Sequence, residues 1–435
     1  MSLRKNIFAN YVGTGFVVLA PMLALPYYLH TLGSSVWGLV SFITTLQALL
    51  SLFDAGISQA LVREFAVGKT QNQQKQYKLG IVLFGFERIY WIFAILTSVI
   101  VLLASHQITH YWLKLDNLNV DQAQIAVFGA VALFTFQFPG SVYRSLLVGT
   151  QAQVLLNVIM TAGALIRHLG GVLVVLTWPT LSAYLIWQVC SVALETVVRS
   201  FFAWRTLQVK RSESYWDKSL MQGMLLPIIG MSGATLLGAL TVQMDKLILS
   251  GMVSIEKFGY YAIASTLATG VLQLLYPIVN AATPHAVNLR HDAQALRKFN
   301  FKYAKVVTSL ILIAGLIYYI VGYDFLNWWL KSPDIAKQVN ALLSVLLIGT
   351  ALNALYTIGY INWIVKGQFS KILQVNLISL LVSIISIPIM VAKFGMLGAS
   401  LGWIAMNAVG LFCSLVWLAP IEYKAIDKTR HHTNQ

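Results

Sequence analysis

The chain has 435 residues, of which 58% are apolar and only 10% are Asp, Glu, Lys or Arg, and its net charge is +15. A typical soluble domain is about 25% charged. This chain has too little polar surface to cover a water-soluble globule, which excludes a cytosolic enzyme, a nucleic-acid-binding protein and a disordered tail. The composition instead indicates a chain that is solvated by lipid.

Twelve apolar runs are long enough to cross a bilayer, which takes about 20 helical residues. Lipid permits only helices or closed barrels, and the strand-period alternation of a barrel is absent, so the sequence predicts an all-α polytopic membrane protein. The runs lie at about 7–31, 36–61, 79–104, 123–149, 152–177, 180–206, 220–250, 257–288, 300–322, 336–365, 370–392 and 395–420.

A polar, basic stretch at 207–219 separates the first six runs from the last six. It predicts an N-terminal six-helix lobe, 1–206, and a C-terminal six-helix lobe with a short cytoplasmic tail, 220–435. With the N-terminus inside, twenty of the thirty Lys and Arg residues fall in inner segments, five in outer loops and five within the runs. Because cytoplasmic loops collect Lys and Arg, both termini are predicted to be cytoplasmic.

The two halves resemble a repeat. Trp37-Gly38 opens the second run and Phe258-Gly259 opens the eighth. Six helices return the chain to the side on which it started, so both lobes have the same orientation. This predicts a parallel pseudo-twofold repeat about an axis along the membrane normal.

Polar side chains recur at helical spacing in the second and eighth runs. Small and hydroxyl residues often pack between membrane helices, but these stripes are long and include amide and carboxyl groups, which favours a water-lined cavity. The stripes are Ser41, Thr44, Gln47, Ser51, Asp54 and Ser58, and Ser265, Thr269, Gln273, Tyr276, Asn280 and Thr283.

Nine ionisable residues lie within the runs. At about 2.5–3.5 kcal/mol each, nine lipid-facing charges would exceed a normal folding stability of about 5–15 kcal/mol. Most must therefore face protein or water, or lie near a helix end. The nine are Asp54, Glu87, Arg88, Arg144, Arg167, Glu195, Arg199, Asp245 and Lys246.

Three of these positions predict specific arrangements. Glu195 and Arg199 are spaced i, i+4 and can form an ion pair on one helix face. Arg167 lies near the middle of its run beside His168, with no acid within a helical turn. Its planar guanidinium suits phosphate oxygens, which makes it a candidate anion ligand. The alternative is a partner on another helix, most obviously Glu195.

The Asp245-Lys246 dipeptide lies near the outer end of the seventh run. It is either part of an outer gate or an interfacial helix end, and the sequence does not separate the two.

Several segments resemble one family. FDAGISQALVREFA at 53–66 is similar to the end of the second helix in bacterial polysaccharide flippases. The region 242–287, which begins VQMDKLILSGMVSIEKFGYYAIAS, resembles the seventh and eighth helices of Wzx-type O-antigen flippases. These flippases belong to the multidrug/oligosaccharidyl-lipid/polysaccharide (MOP) exporter superfamily.

The resemblance implies a V-shaped pair of lobes and alternating access across the bacterial inner membrane. The expected cargo is an undecaprenyl-pyrophosphate-linked oligosaccharide, the O-antigen repeat unit, moved from the cytoplasmic to the periplasmic face. Other expected partners are membrane lipids and the polysaccharide polymerase with its chain-length machinery, but no nucleic acid. No metal or cofactor is expected beyond a coupling ion, H⁺ or Na⁺.

The ionisable and polar residues within the runs supply candidates for two roles. The pyrophosphate or sugar ligands are predicted to be Arg88, Arg144, Arg167, His168, Tyr276, Asn280 and Tyr360. Coupling or gating is assigned to Asp54, Glu195, Arg199, Asp245 and Lys246.

Two alternatives remain open at this point. A cation-coupled multidrug antiporter of the same superfamily would use Asp54 or Asp245 as its coupling carboxylate. A membrane polysaccharide polymerase or ligase is disfavoured, because such an enzyme needs an external domain or long loop and the longest outer loop, about 105–122, is short.

The predicted topology can be tested with alkaline phosphatase fusions, which are active only outside the cytoplasm. Fusions at Lys114 and Lys331 should be active, and fusions at Lys210 and Lys298 should be inactive. The reverse pattern would overturn the orientation.

Overall fold

The computed structural model describes residues 3–54, 56–68, 73–116 and 118–418, without the side chains of 3–14, 73–76, 226–235, 274, 276, 280, 416 and 417. Every regular element in this part of the chain is a helix. The helices are α1 (Leu3–Leu32), α2 (Ser34–Ser51), α3 (Ile57–Gly68), α4 (Gln73–Leu103), α5 (Ser105–Gln107), α6 (Val120–Gln137), α7 (Gly140–Gly149), α8 (Gln153–Thr177), α9 (Leu181–Leu207), α10 (Lys218–Met252), α11 (Ile255–Asn288), α12 (Ala293–Leu330), α13 (Pro333–Val365), α14 (Phe369–Phe394) and α15 (Met396–Ser414).

Eleven segments in the described residues are long and apolar enough to cross a membrane. The helix α10 adds a further segment of 35 residues, which at about 1.5 Å per residue is long enough to span a bilayer. The prediction of an all-α polytopic fold with about twelve crossings is therefore confirmed.

Two of the predicted runs are not single helices. The second crossing is interrupted by a 3-10 turn at Leu52–Asp54, between α2 and α3. The fourth is interrupted between α6 and α7. At that position Pro139 has no N–H to continue the helical hydrogen bonds. The prediction of one unbroken helix for each of these runs is wrong.

The neighbour relations within the first six crossings recur within the last six. In the first half α1 packs on α8, α2 on α6, and α9 on both α6 and α8. In the second half α10 packs on α14, α11 on α13, and α15 on both α13 and α14. These are the same pairs of crossings in each half, which supports the predicted parallel repeat.

The two halves meet where α2 crosses α11. A Cβ atom on Gly38 would lie 2.0 Å from the backbone oxygen of Ile255, and a Cβ on Gly259 would lie 3.0 Å from the Cα of Gly38. Any side chain at Gly38 would therefore collide with backbone. The two glycines that align the repeats in the sequence form the crossing point of the central helices.

Hydrogen bonds between the halves cluster at the same end of the bundle, which is the predicted outer end. Ser34 Oγ donates to Glu256 Oε1 at 2.6 Å. Lys114 Nζ donates to the carbonyl oxygen of Met252 at 2.8 Å, and Trp329 Nε1 donates to that of Met22 at 3.1 Å. We name this group of contacts, together with the Gly38–Gly259 crossing, the outer contact.

The helix α11 separates from the first half beyond this contact. Gly259, Thr266 and Gln273 are spaced by seven residues, close to two helical turns, and so lie on one face. Gly259 is buried against α2, whereas Thr266 and Gln273 on the same face are exposed. The face that closes the bundle at the predicted outer end is therefore accessible further towards the predicted inner end.

The outer contact predicts that one added methyl group separates α2 from α11 when it is placed at Gly38 but not when it is placed at Gly270. Gly38→Ala should separate α2 from α11, because the added Cβ meets a backbone carbonyl that cannot move aside alone. Gly270→Ala on α11 is the matched control, since a Cβ there meets nothing within 4 Å.

The measurement is labelling of a cysteine placed at Ser35 by a membrane-impermeant maleimide, in a chain with Cys190 and Cys413 replaced. Labelling should be faster with Gly38→Ala than with Gly270→Ala. Equal rates would show that the crossing does not close this end.

Candidate functional site

A buried carboxylate joins two arginines within the first half. Glu195 on α9 accepts a hydrogen bond from Arg167 Nη2 of α8 at 2.5 Å through one oxygen. Its other oxygen accepts a hydrogen bond from Arg199, one helical turn further along α9. We name Arg167, Glu195 and Arg199 the arginine cluster.

Small residues allow the helices to approach around Glu195. A Cβ on Gly163 of α8 would lie 2.8 Å from the Glu195 carboxyl group, so a larger residue would displace it. At the start of α7, a Cβ on Gly140 would lie 3.0 Å from Thr196 Oγ1 and 3.4 Å from Arg199 Nη1. The glycines therefore determine how closely the charged side chains can pack.

The break between α6 and α7 lies beside the same cluster. Thr196 Oγ1 donates to the carbonyl oxygen of Phe136 at 2.8 Å. This oxygen lies in the last turn of α6, where a helix leaves carbonyl groups without intrahelical partners. The hydroxyl of Thr196 on α9 thus stabilises the interruption between α6 and α7, which places Gly140 beside Arg199.

The cluster has an excess of positive charge and of hydrogen-bond donors. Two arginines share one carboxylate, and Arg144 on α7 is near enough to act electrostatically on Arg199. Within the described residues Arg144 forms no ion pair. The Nε atoms of Arg167 and Arg199 and the Nδ1 of His168 are buried without a hydrogen-bond partner in this part of the chain. The arrangement can accept an anion.

A group of aromatic side chains lies beside His168, the residue that follows Arg167. Tyr28 stacks on Trp37 and packs edge-on against Tyr184. The hydroxyl of Tyr28 donates to the carbonyl oxygen of His168 at 2.9 Å. The first, second, fifth and sixth crossings are thereby connected next to Arg167.

The sequence-based prediction of a Glu195–Arg199 pair is confirmed. Of the two alternatives for Arg167, the structure shows the partner on another helix, Glu195. The prediction that Arg167 binds an anion is untested, although its Nε has no partner among the described residues.

Glu87 and Arg88 do not act as a pair. Glu87 is buried and accepts from Arg211 of the 208–217 connector at 2.7 Å. Arg88 lies over the ring of Phe84 at 4.0 Å and is exposed. It forms no ion pair within the described residues. Arg88 therefore remains a predicted ligand that the structure does not place in the arginine cluster.

Asp54 lies at the interruption between α2 and α3. Its carboxylate accepts from Ser58 Oγ at 2.6 and 2.8 Å and from the hydroxyl of Tyr90 on α4. A carboxylate at the N-terminal end of a helix is also stabilised by the helix dipole. These contacts give Asp54 a structural role at the break, and its predicted coupling role is untested.

Asp245 and Lys246 form a buried pair in the second half. Lys246 Nζ lies 3.3 Å from Asp245 Oδ1, and their side chains are 13% and 3% exposed respectively. Tyr261 on α11 donates to Asp245 Oδ2 at 2.6 Å. These contacts attach the pair to α11, and the roles as an outer gate and as an interfacial helix end both stay predictions.

The predicted sugar ligands lie in the second half. The side chains of Tyr276 and Asn280 are outside the described residues. Tyr360 lies on α13 in a row with Tyr356, whose ring centroid is 6.0 Å from those of Tyr360 and Trp363. The predicted set is therefore not brought together as one group by the described contacts.

Sequence reasoning missed Gly140, Gly163 and Thr196. The Pro139-Gly140 dipeptide within an apolar run is a recognisable signal for a helix break. Gly163 offers no such signal, because its role depends on Glu195, which is 32 positions away in the sequence. Only the packing of α8 on α9 reveals it.

Because two arginines share the Glu195 carboxylate, removing the charge of Glu195 should destabilise the protein more than removing the charge of Arg167. Glu195→Gln leaves two partly buried arginines without an acid, whereas Arg167→Ala still leaves Glu195 paired with Arg199. Removing one partner of a buried pair costs about 3–5 kcal/mol, so Glu195→Gln should lower the thermal stability of the purified protein more than Arg167→Ala.

Unfolding in detergent, followed by intrinsic fluorescence, measures both variants. Restoration of stability in the Glu195→Gln, Arg167→Ala double variant would support the shared pair. Equal stability of the wild type and Glu195→Gln would contradict it.

Comparisons with known proteins agree with this architecture. A family model described as "Polysaccharide biosynthesis protein" matches residues 3–289. A protein named "Putative O-antigen transporter" from Shigella flexneri is 20% identical over 408 residues, which cover 93% of this chain and 94% of that protein.

Two solved structures share the fold. "Lipid II flippase MurJ", in an inward closed conformation, has a TM-score of 0.72 at 12% identity and covers 95% of this chain and 87% of its own. An inward-facing multidrug resistance MATE family transporter of the MOP superfamily has a TM-score of 0.70 at 15% identity and covers 92% of each chain. These proteins are transporters and flippases, which agrees with the prediction that the chain is not an enzyme. The chain has the MOP transporter fold and belongs to the polysaccharide biosynthesis protein family.

Proposed function

We propose that the chain is a flippase for an undecaprenyl-pyrophosphate-linked oligosaccharide, the O-antigen repeat unit. It moves this lipid from the cytoplasmic to the periplasmic face of the bacterial inner membrane. The family match and the name of the Shigella flexneri relative support this cargo class. So does the shared fold of a lipid II flippase.

The arginine cluster is the observation that carries the proposal. A pyrophosphate group cannot enter hydrocarbon without compensation, because an isolated charge is strongly destabilised there. The planar arginine guanidinium forms two parallel hydrogen bonds to phosphate oxygens. Arg167 and Arg199 share one carboxylate, and Arg144 is near enough to act electrostatically on Arg199. A bound pyrophosphate would therefore neutralise positive charge that the described residues leave uncompensated.

The outer contact and the accessible face of α11 support alternating access. The bundle is closed at the predicted outer end, while Thr266 and Gln273 are accessible beyond the crossing. A headgroup would therefore enter from the predicted inner end, and the polyprenyl tail would stay in lipid. Hydroxyl and aromatic groups such as Tyr360 suit the sugars.

One observation favours a second candidate function, a cation-coupled multidrug antiporter. The carboxylate of Asp245 is buried, accepts from Tyr261 and lies beside Lys246, and a carboxylate within a crossing is the group that such an antiporter would use for coupling. Under the leading proposal the same carboxylate, or Asp54, would couple flipping to H⁺ or Na⁺. Which ion is used is a separate question from the cargo.

The proposed function predicts that Arg167 of the arginine cluster and the neighbouring Arg144 are needed for transport. The purified chain in proteoliposomes should flip a fluorescent undecaprenyl-pyrophosphate oligosaccharide. Arg144→Ala and Arg167→Ala should slow flipping about tenfold or more, because a lost charge-assisted hydrogen bond is worth about 1.5–3 kcal/mol. Arg63→Ala, an exposed arginine on α3, is the matched control.

The same variants should fail to complement a deletion strain, in which the lipid-linked repeat unit should accumulate on the cytoplasmic face. Wild-type flipping by both Arg144→Ala and Arg167→Ala would remove these two arginines from the ligand set. Drug efflux without flipping by the wild-type chain would favour the antiporter.

A further inference from the structure

A groove lies on the flank of the first half, at the predicted inner end. Its volume is about 1130 Å³, slightly above the usual range for small-molecule sites. The walls come from α4, α7, α9 and the 208–217 connector. We name it the connector groove.

The connector groove is polar at one end and apolar at the other. Arg205, Lys210 and Arg211 contribute cations, and Glu87 is the acid in the lining. Glu87 is already paired with Arg211. Lys210 is only loosely paired, at 4.0 Å from Glu213, with its side chain 81% exposed. The lining therefore retains a net positive charge.

The apolar end consists of side chains that face the flank of the bundle. Val197 is 65% exposed and Phe201 is 59% exposed, although both lie on a membrane-spanning helix. Trp91 and Trp204 also contribute to the wall. Side chains of this kind lie against lipid chains when a membrane is present.

The surrounding connector has the composition of a membrane interface. Tyr215 and Trp216 are exposed beside its basic residues, and Trp and Tyr favour the depth of lipid headgroups. The connector is held against the first half by Arg211–Glu87 and by Tyr77 Oη, which donates to the carbonyl oxygen of Glu213 at 2.8 Å. The basic end is thus fixed in place rather than presented on a free loop.

We propose that the connector groove binds an anionic glycerophospholipid of the leaflet at the predicted inner end. Arg205 and Lys210 bind the phosphate, and one acyl chain lies along Val197 and Phe201. Among the side chains that the structure describes, none from α1, α2, α10 or α11 lines the groove, which places it on the flank of the first half and away from the cleft. This position suits a resident lipid better than a transported one, and the proposal does not depend on which cargo is flipped.

The test is native mass spectrometry of the detergent-purified chain, titrated with palmitoyl-oleoyl phosphatidylglycerol or with phosphatidylcholine of the same chains. The anionic lipid should bind about tenfold or more tightly than the zwitterionic one, since each basic residue near the surface contributes to anionic lipid binding. The Arg205→Gln, Lys210→Gln variant should lose this preference. Lys298→Gln, Lys302→Gln is the matched control, because these exposed lysines of α12 lie outside the groove at the same predicted end.

Two results would overturn the proposal. One is equal binding of phosphatidylglycerol by the wild type and the Arg205→Gln, Lys210→Gln variant, with both eluting as folded protein. The other is binding of undecaprenyl pyrophosphate that this variant weakens more than it weakens phosphatidylglycerol binding, which would assign the groove to the cargo instead.

Discussion

The carboxylate of Glu195 is the centre on which the first half is organised. An unpaired arginine in the middle of a membrane helix costs about 2.5–3.5 kcal/mol on insertion scales, and Glu195 offers one oxygen to each of Arg167 and Arg199. To do so α8 and α9 must lie close together, which Gly163 allows. The interruption between α6 and α7 then brings Gly140 beneath Arg199. Because Gly163 and Gly140 have no side chain, there is space for the side chains of Glu195 and Arg199.

The two halves share a fold but differ in chemistry. In the second half amide groups connect the crossings: Asn300 and Asn362 exchange hydrogen bonds between α12 and α13. Asn353 on α13 donates to Asn407 on α15 at 2.7 Å. These pairs stabilise the helices without adding charge. The two halves therefore share the positions of their helices but not the arginine cluster. Under the proposed function the pyrophosphate would be held on one side of the cleft, by the first half.

Composition and charge bias were sufficient to predict the membrane class and the number of crossings, because both depend on sums over many residues. The repeat was also predictable, since Gly38 and Gly259 occupy equivalent places in the sequence. The partner of Arg167 was only one of two alternatives, because pairing across helices depends on packing. The break of the second crossing was missed for a similar reason: Asp54 gains Tyr90 as a donor only once α4 lies beside it. A single sequence does not determine which side chains of distant segments contact each other.

The outer contact and the ion pairs of Glu195 differ in how easily they open, and this difference bears on how the two halves move relative to each other. The outer contact consists of the glycine crossing and three hydrogen bonds. Two of these bonds involve a charged group and are each worth about 1.5–3 kcal/mol in net terms, but none of the three is fully buried. Breaking the buried pairs of Glu195 by removing one partner costs about 3–5 kcal/mol. When the halves separate, water can replace the lost partners of the outer contact, whereas a partner lost by the buried Glu195 is not replaced. The join between the halves is therefore easier to open than the join within the first half. If the halves rock about the crossing, the arginine cluster moves as a unit with its own half. It can then face either side of the membrane without losing its internal pairs.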